Sequence, residues 1–245
     1  MPEVVQRGYD PTDERDFHKQ IETLGKAGED VYYLINHGYP VKSATEFVGN
    51  HYLLSERQRL ALARSISAES SILARKAKEL SNLVEGSTVY IDGFNTIISL
   101  EIAFSGSTLL LCMDGTVRDL AGLRGTYRLI DKTDMAIRAV RHVLERERAG
   151  EAHFLLDAPV SNSGRLKARI AELMEGSPVQ VSFSVIPDVD KALYTKETVV
   201  TGDAIILDHC KSWFNLVRRA IELEIGDYPY IEIMKQIQED GNQYE

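Results

Sequence analysis

The chain has 245 residues, 44% of them hydrophobic and 27% charged, with a formal net charge of −9. This is the composition of a globular protein able to form one large domain or a medium one plus a small one, and its acidity argues against indiscriminate polyanion binding. No apolar run reaches the roughly 18 to 20 residues of a membrane helix. The N-terminal MPEVVQRGYDPTDERDF also lacks the apolar centre of a signal peptide, so the expected location is cytoplasmic, with no membrane partner.

Taken in order, residues 1–13 read as a flexible lead-in, with Asp13 as a helix N-cap. Glu14 to about Asn36 reads as a helix with Phe17, Ile21, Leu24, Val31, Leu34 and Ile35 on a stripe interrupted at Gly25 and Gly28, and His37-Gly38-Tyr39-Pro40 stops it. A second helix is expected over Lys42–His51, and a long third one from an N-cap at Ser55 to about Leu83. These form a helical N-terminal unit, residues 1–85. Residues 41–80 carry seven Lys and Arg against four Glu, a mild basic excess that a solvated helix face explains equally well.

From residue 86 onward the pattern alternates. Strands are expected at 88–92, 108–113, 153–157, 179–186 and 198–202, and helices at 96–104, 133–149, 163–175, 189–194 and 211–223. Such alternation implies right-handed crossovers and a mostly parallel sheet flanked by helices, an α/β fold over residues 86–245. The acidic tail after Ile225 is expected to be a surface helix that frays. Cys112 and Cys210 lie far apart without metal-ligand spacing and read as buried free thiols.

The organising stretch is Thr88–Leu100, TVYIDGFNTIISL, in which an apolar run ends at Asp92 and Gly93 lets the chain turn into a helix. The same arrangement of apolar run and acid recurs at Asp114, Asp157 and Asp203. In a parallel sheet these carboxylates would gather at the carboxyl edge, where ligands of such folds bind. Like charges so close do not all stay ionised unaided, so the pattern points to Mg2+ or Mn2+ held by Asp92, Asp114, Asp157 and Asp203. Each Asp has a plainer reading as a helix N-cap. Arg118 either holds a phosphate or pairs with Asp114 or Asp119, and Ser161 and Ser163 either line an anion site at a helix N-terminus or simply cap it.

The segments YIDGFN, LLDAPVSNSG and VVTGDAIILD together resemble the PIN-like nucleases over about residues 88–210. Upstream, YYLINHGYPVKSATEFVGNHYLLSERQRLALAR resembles the helical unit of the family catalogued as domain of unknown function 434. The first resemblance implies a PIN-like fold and metal-dependent hydrolysis of RNA phosphodiesters, with catalysis at Asp92 and Asp203, Asn95 steadying the first aspartate or a metal-bound water, and Thr201 beside the last one. PIN-like enzymes supply a further acid from a helix; the obvious candidates here, Asp114 and Asp157, follow strands, with Glu101, Asp119 and Asp190 as substitutes.

Two rivals compete. CMDGT with GDAIILD resembles motifs of haloacid-dehalogenase-like phosphatases, but Cys112 occupies the position of the attacking aspartate and cannot form an aspartyl-phosphate. The other is a non-catalytic RNA-binding or scaffold protein that uses its N-terminal helices, Arg57, Arg59 and Arg64 among their charges. Homo-oligomerisation is also open, with those helices facing RNA, another protein or a neighbouring subunit.

Overall fold

The computed structural model describes residues 6–122 and 126–234. The chain divides into two compact units that interleave in sequence. One comprises Ala77–Ser107 and Ala121–Tyr228 with Arg7; the other comprises Gly8–Lys76, Thr108–Leu120 and the residues from Pro229. Among the described residues no helix is long and apolar enough to cross a membrane.

The helical unit begins with a π-helical turn, Glu14–His18, followed by α1 (Ile21–Asn36), α2 (Val41–His51), α3 (Glu56–Ser65) and α4 (Glu69–Lys76). Ser55 caps α3 through a reciprocal pair with Gln58, as the sequence suggests. The long third helix expected there is instead divided, because Ile66 is extended and buried and the Ser65 carbonyl accepts from Met113 N–H at 3.0 Å. Residues 6–13 are not a loose lead-in either. Arg7 lies 2.5 Å from Glu101, and Asp13, rather than capping a helix, is held by Arg57 at 2.5 Å.

The strand expected over 108–113 does not join the parallel sheet; residues 108–120 form a separate motif. They fold into an antiparallel hairpin of β3 (Leu109–Leu111) and β4 (Val117–Asp119), outside the parallel sheet. Asp114-Gly115 between two apolar runs is turn chemistry, and Gly115 takes φ +83° there. Extended chain after Tyr228 adds to this hairpin, with Ile231 bridging Leu110 in parallel and Ile231, Ile233 and Met234 buried in the helical unit's core. A helix is therefore absent from 226–234; the rest of the expected tail helix lies outside the described residues.

The second unit is the expected α/β layer structure. Its strands are β1 (Glu79–Leu80), β2 (Thr88–Asp92), β5 (Glu151–Asp157), β6 (Gln180–Ile186), β7 (Val199–Val200) and β8 (Trp213–Phe214), all parallel, in the order β1-β8-β7-β2-β5-β6. Helices α5 (Gly93–Phe104), α6 (Thr133–Arg146), α7 (Ser163–Met174), α8 (Val189–Leu193), α9 (Ala204–His209) and α10 (Leu216–Glu224) connect and flank them. The helix expected over 211–223 begins only at Leu216, because β8 occupies 213–214, and α9 precedes it; both elements are too brief to show in hydropathy periodicity.

From the central β2 the chain moves outward to β5 and β6, then returns to the other side of β2 with β7 and β8. The strand order thus reverses between β2 and β7, the place where open α/β sheets leave a crevice beyond their carboxyl ends.

Candidate functional site

Asp92 ends β2 and Thr201 follows β7 on the two sides of that reversal. Register sets them abreast, since Ile91 pairs with Val200. On the other flank Asp92 pairs with Leu155, which places Asp157 one pleat further out at the end of β5. Asp203 starts α9 and Asp190 lies in the first turn of α8, just beyond β6. Asp92, Asp157, Asp190 and Asp203 therefore share the carboxyl edge of four adjacent strands.

The plain capping reading holds for Asp203, whose Oδ1 accepts from the Ile205 and Ile206 N–H groups at 2.7 and 3.1 Å. It does not hold for Asp92, which occupies the N-cap position of α5 but makes no side-chain cap bond. Its Oδ2 instead accepts from Thr201 Oγ1 at 2.8 Å, and Thr201 Oγ1 accepts from Asp203 N–H at 3.1 Å. Asn95 Oδ1 accepts from Gly202 N–H at 2.7 Å, so it steadies the β7–α9 loop rather than the first aspartate. Two hydrogen bonds, Thr201 to Asp92 and Gly202 to Asn95, thus tie one side of the switch point to the other.

Gly93 has a different reason from the one expected. A Cβ there would stand 2.5 Å from Leu156 Cδ2 and 2.9 Å from the Leu155 carbonyl, so glycine is required because α5 begins hard against β5.

Burial pushes the Asp92 carboxyl up to about 7; Thr201 opposes this, and the charges of Asp157, Asp190 and Asp203 add to it. Asp157 is raised by burial and by Asp188, against the Val189 N–H it accepts from. Asp190 is raised by burial and then by Asp203, Asp157 and Asp188. Asp188, which sequence reasoning passed over, caps α8 and adds its charge to the group. Its signal was present in PDVDK, an Asx residue at a strand-to-helix turn.

The buried acids of the described residues are Asp13, Asp16, Asp92, Glu101, Asp114 and Asp119. Each except Asp92 has an arginine: Arg57, Arg15, Arg7, Arg75 with Arg118, and Arg64 respectively. Asp92, and with it Asp157, Asp190 and Asp203, makes no ion pair with a described cation. Yet among the described residues no group of three or more His, Cys, Asp or Glu side chains stands close enough to chelate a metal directly. That donor set suits a hydrated magnesium, which keeps several waters and uses one or two carboxylates, better than a dehydrated cage.

Asp114, expected among the ligands, is not brought to this edge. It sits in the β3–β4 hairpin, fully buried, with Oδ1 accepting from Thr116 N–H and Oγ1 and Oδ2 from Arg75 and Arg118. Burial works against its charge, but Arg118, Thr116 and Arg75 hold the carboxyl below its usual range. Arg118 is thereby committed to pairing, and it also donates to the Arg64 carbonyl. Asp119 pairs with Arg64 at 3.6 Å. Glu101 accepts from Tyr127 and Thr133, and Arg7 is its counter-ion.

Ser161 is exposed and Ser163 is the first residue of α7, behind Asn162 in the left-handed region (φ 67°); no side chain caps that helix. Burial pushes the Cys112 thiol up to about 11, which fits a free buried thiol and not a nucleophile. Arg57 and Arg64 are committed to Asp13 and Asp119, and Arg59 donates to Leu54, Glu46 and Gly49 carbonyls and to Asn50. These arginines are structural clamps.

No solved structure matches the chain. The "Uncharacterized protein MJ0935" of Methanocaldococcus jannaschii is 37% identical over 204 residues, 82% of this chain and 97% of that protein. Residues 23–78 match the family described as "Protein of unknown function (DUF434)", in agreement with the resemblance read from the helical segment. Residues 81–219, which hold the whole carboxylate edge, match "Domain of unknown function (DUF5616)", and the chain belongs to that family.

Proposed function

We propose that the protein is a divalent-cation-dependent phosphodiesterase of the PIN-like type, with RNA as its substrate. The observation that carries this reading is Asp92, a buried carboxylate at the sheet's switch point with three acids near it and no cationic side chain. A fold that keeps such a group has to bear several kcal/mol of desolvation and repulsion, which a bound cation would relieve. The PIN-like resemblance of YIDGFN and VVTGDAIILD supplies the substrate class.

Asp92, Asp157, Asp190 and Asp203 are the residues that would hold the cation, one or two directly and the others through its waters. When bound, it would lower the pKa of a coordinated water and neutralise charge on the scissile phosphate. The protein's own part is positioning. Thr201 fixes the rotamer of Asp92, and Asn95 fixes the loop that brings Thr201 and Asp203 there. Asp92, whose carboxyl burial raises to about 7, would give up any proton it still holds if a cation bound there.

The test is incubation of the full chain with a panel of single-stranded and hairpin RNAs in Mg2+ or Mn2+. Cleavage should stop with EDTA, and Asp92→Asn or Asp203→Asn should lower it by orders of magnitude while the far-UV circular dichroism stays unchanged. An uncut panel at millimolar Mn2+, or cleavage that Asp92→Asn leaves intact, overturns the proposal.

A further inference from the structure

We infer that the protein forms a two-fold dimer in which β6 of one chain pairs antiparallel with β6 of a second copy. Among the described residues β6 is the last strand of the parallel sheet and has a neighbour on one side only. Sheet edges are ordinarily protected by a short strand, a lysine, a proline or a bulge. β6 has none of these: it is seven residues long and reads QVSFSVI, without a charge or a proline.

Its sequence is self-complementary under a two-fold axis. Val181-Ser182-Phe183-Ser184-Val185 is a palindrome centred on Phe183. In an antiparallel pair with the axis at Phe183, Val181 faces the second copy's Val185, Ser182 faces its Ser184, and Phe183 faces Phe183. One face of the joined strands is then continuously apolar and the other continuously hydroxyl-bearing, which suits cross-strand pairing. Val185, 43% exposed in the single chain, gains a valine opposite it.

The helix beside this edge fits the same axis. α7 lies on the Val181/Phe183 face, and an open groove runs between it and β6, its floor formed by Ala171, Met174, Val179, Val181 and Phe183 and its rim by Glu172 and Glu175. Lys167 Nζ rests over the Phe183 ring at 5.5 Å, so the part of α7 around Lys167 and Ala168 runs beside Phe183. With strands about 4.8 Å apart, the two-fold axis sets the two copies of α7 side by side on one face of the joined sheet. Gly164, Ala168 and Ala171 are exposed and small along that side. Antiparallel apposition also sets the basic start of one helix, Arg165 and Lys167, against the acidic end of the other, Glu172 and Glu175. The occupant of the edge is therefore another copy of this chain.

Sedimentation equilibrium of the full chain between about 1 and 100 μM tests this, a range that covers micromolar dissociation constants. Wild type should run at twice the chain mass. Val185→Lys, which places a charge on the edge at an exposed site, should run as a monomer with an unchanged far-UV circular dichroism spectrum. Ala168→Glu and Ala168→Lys should each run as a monomer alone, since each sets like charges across the axis, and a one-to-one mixture should recover the dimer. A wild type that stays monomeric throughout, or an Ala168→Glu chain that stays dimeric, overturns the inference. Neither outcome bears on RNA cleavage.

Discussion

Thr201 Oγ1 donates to Asp92 Oδ2 at 2.8 Å across the point where the strand order reverses. The hydroxyl is the main group that lowers the Asp92 carboxyl against burial. Thr201→Val keeps the shape and removes the donor, so Asp92 should hold its proton to a higher pH still. The lost bond to a buried oxygen should cost about 1–3 kcal/mol in urea unfolding at pH 8. Equal stability of variant and wild type there would refute the assigned role.

The pH dependence of stability should run opposite to that of an ordinary ion-paired acid. Asp92 has an ordinary value of 3.8 in the unfolded chain and about 7 in the fold. Between these values the folded state binds more protons, so stability contributed by this residue falls as pH rises from about 4 to about 7 and stays low above that. The penalty at pH 8 is on the order of 4 kcal/mol, and Asp157 and Asp190, also raised, act in the same direction. Asp92→Asn should come closest to wild type near pH 4 and exceed it in thermal midpoint at pH 8. A variant less stable than wild type at pH 8 without divalent ions contradicts this.

Divalent ions should reverse that penalty. At a concentration about 100 times the dissociation constant, binding to the folded state alone adds about 2.7 kcal/mol. Millimolar MgCl2 or MnCl2 at pH 8 should raise the wild-type midpoint, EDTA should restore it, and Asp92→Asn should show little response. Calorimetry in buffers of different ionisation enthalpy should detect proton release on binding near pH 7. No midpoint shift with either ion would count against the cation site.

Asp114 should behave in the contrary way. Its removal leaves Arg75 and Arg118 buried without a counter-ion. Asp114→Asn should cost about 3–5 kcal/mol at all pH values above 4, with any cleavage by the folded fraction unaltered. A stabilising Asp114→Asn would show that those arginines do not depend on it.

Gly93→Ala tests the close approach of α5 to β5. With a Cβ 2.5 Å from Leu156 Cδ2 and 2.9 Å from a backbone carbonyl, the helix start must shift, costing about 1–3 kcal/mol and displacing Asp92. Native stability in this variant would mean that the turn, and not the packing, calls for glycine.

What the sequence determined by itself is local. Apolar runs ending at Asp92 and Asp157, and the acid at Asp203 after β7, follow from period-two patterning and helix-start chemistry, which depend on residues a few positions apart. The Ser55 capping box and the burial of both cysteines are of the same kind. The tertiary structure alone decided the rest. LLLCMDGT has the same local pattern as TVYIDG, yet β3 closes a hairpin with β4 and Asp114 is neutralised by Arg75, 39 residues away in the chain. Asp190 stands beside Asp203 because α8 leads from β6 back across β5 and β2 to pack against α9, a crossing that hydropathy does not encode. Whether a carboxylate meets an arginine or three other acids depends on contacts across a hundred residues, and such long-range neighbours are set by packing the sheet, not by any short stretch of chain.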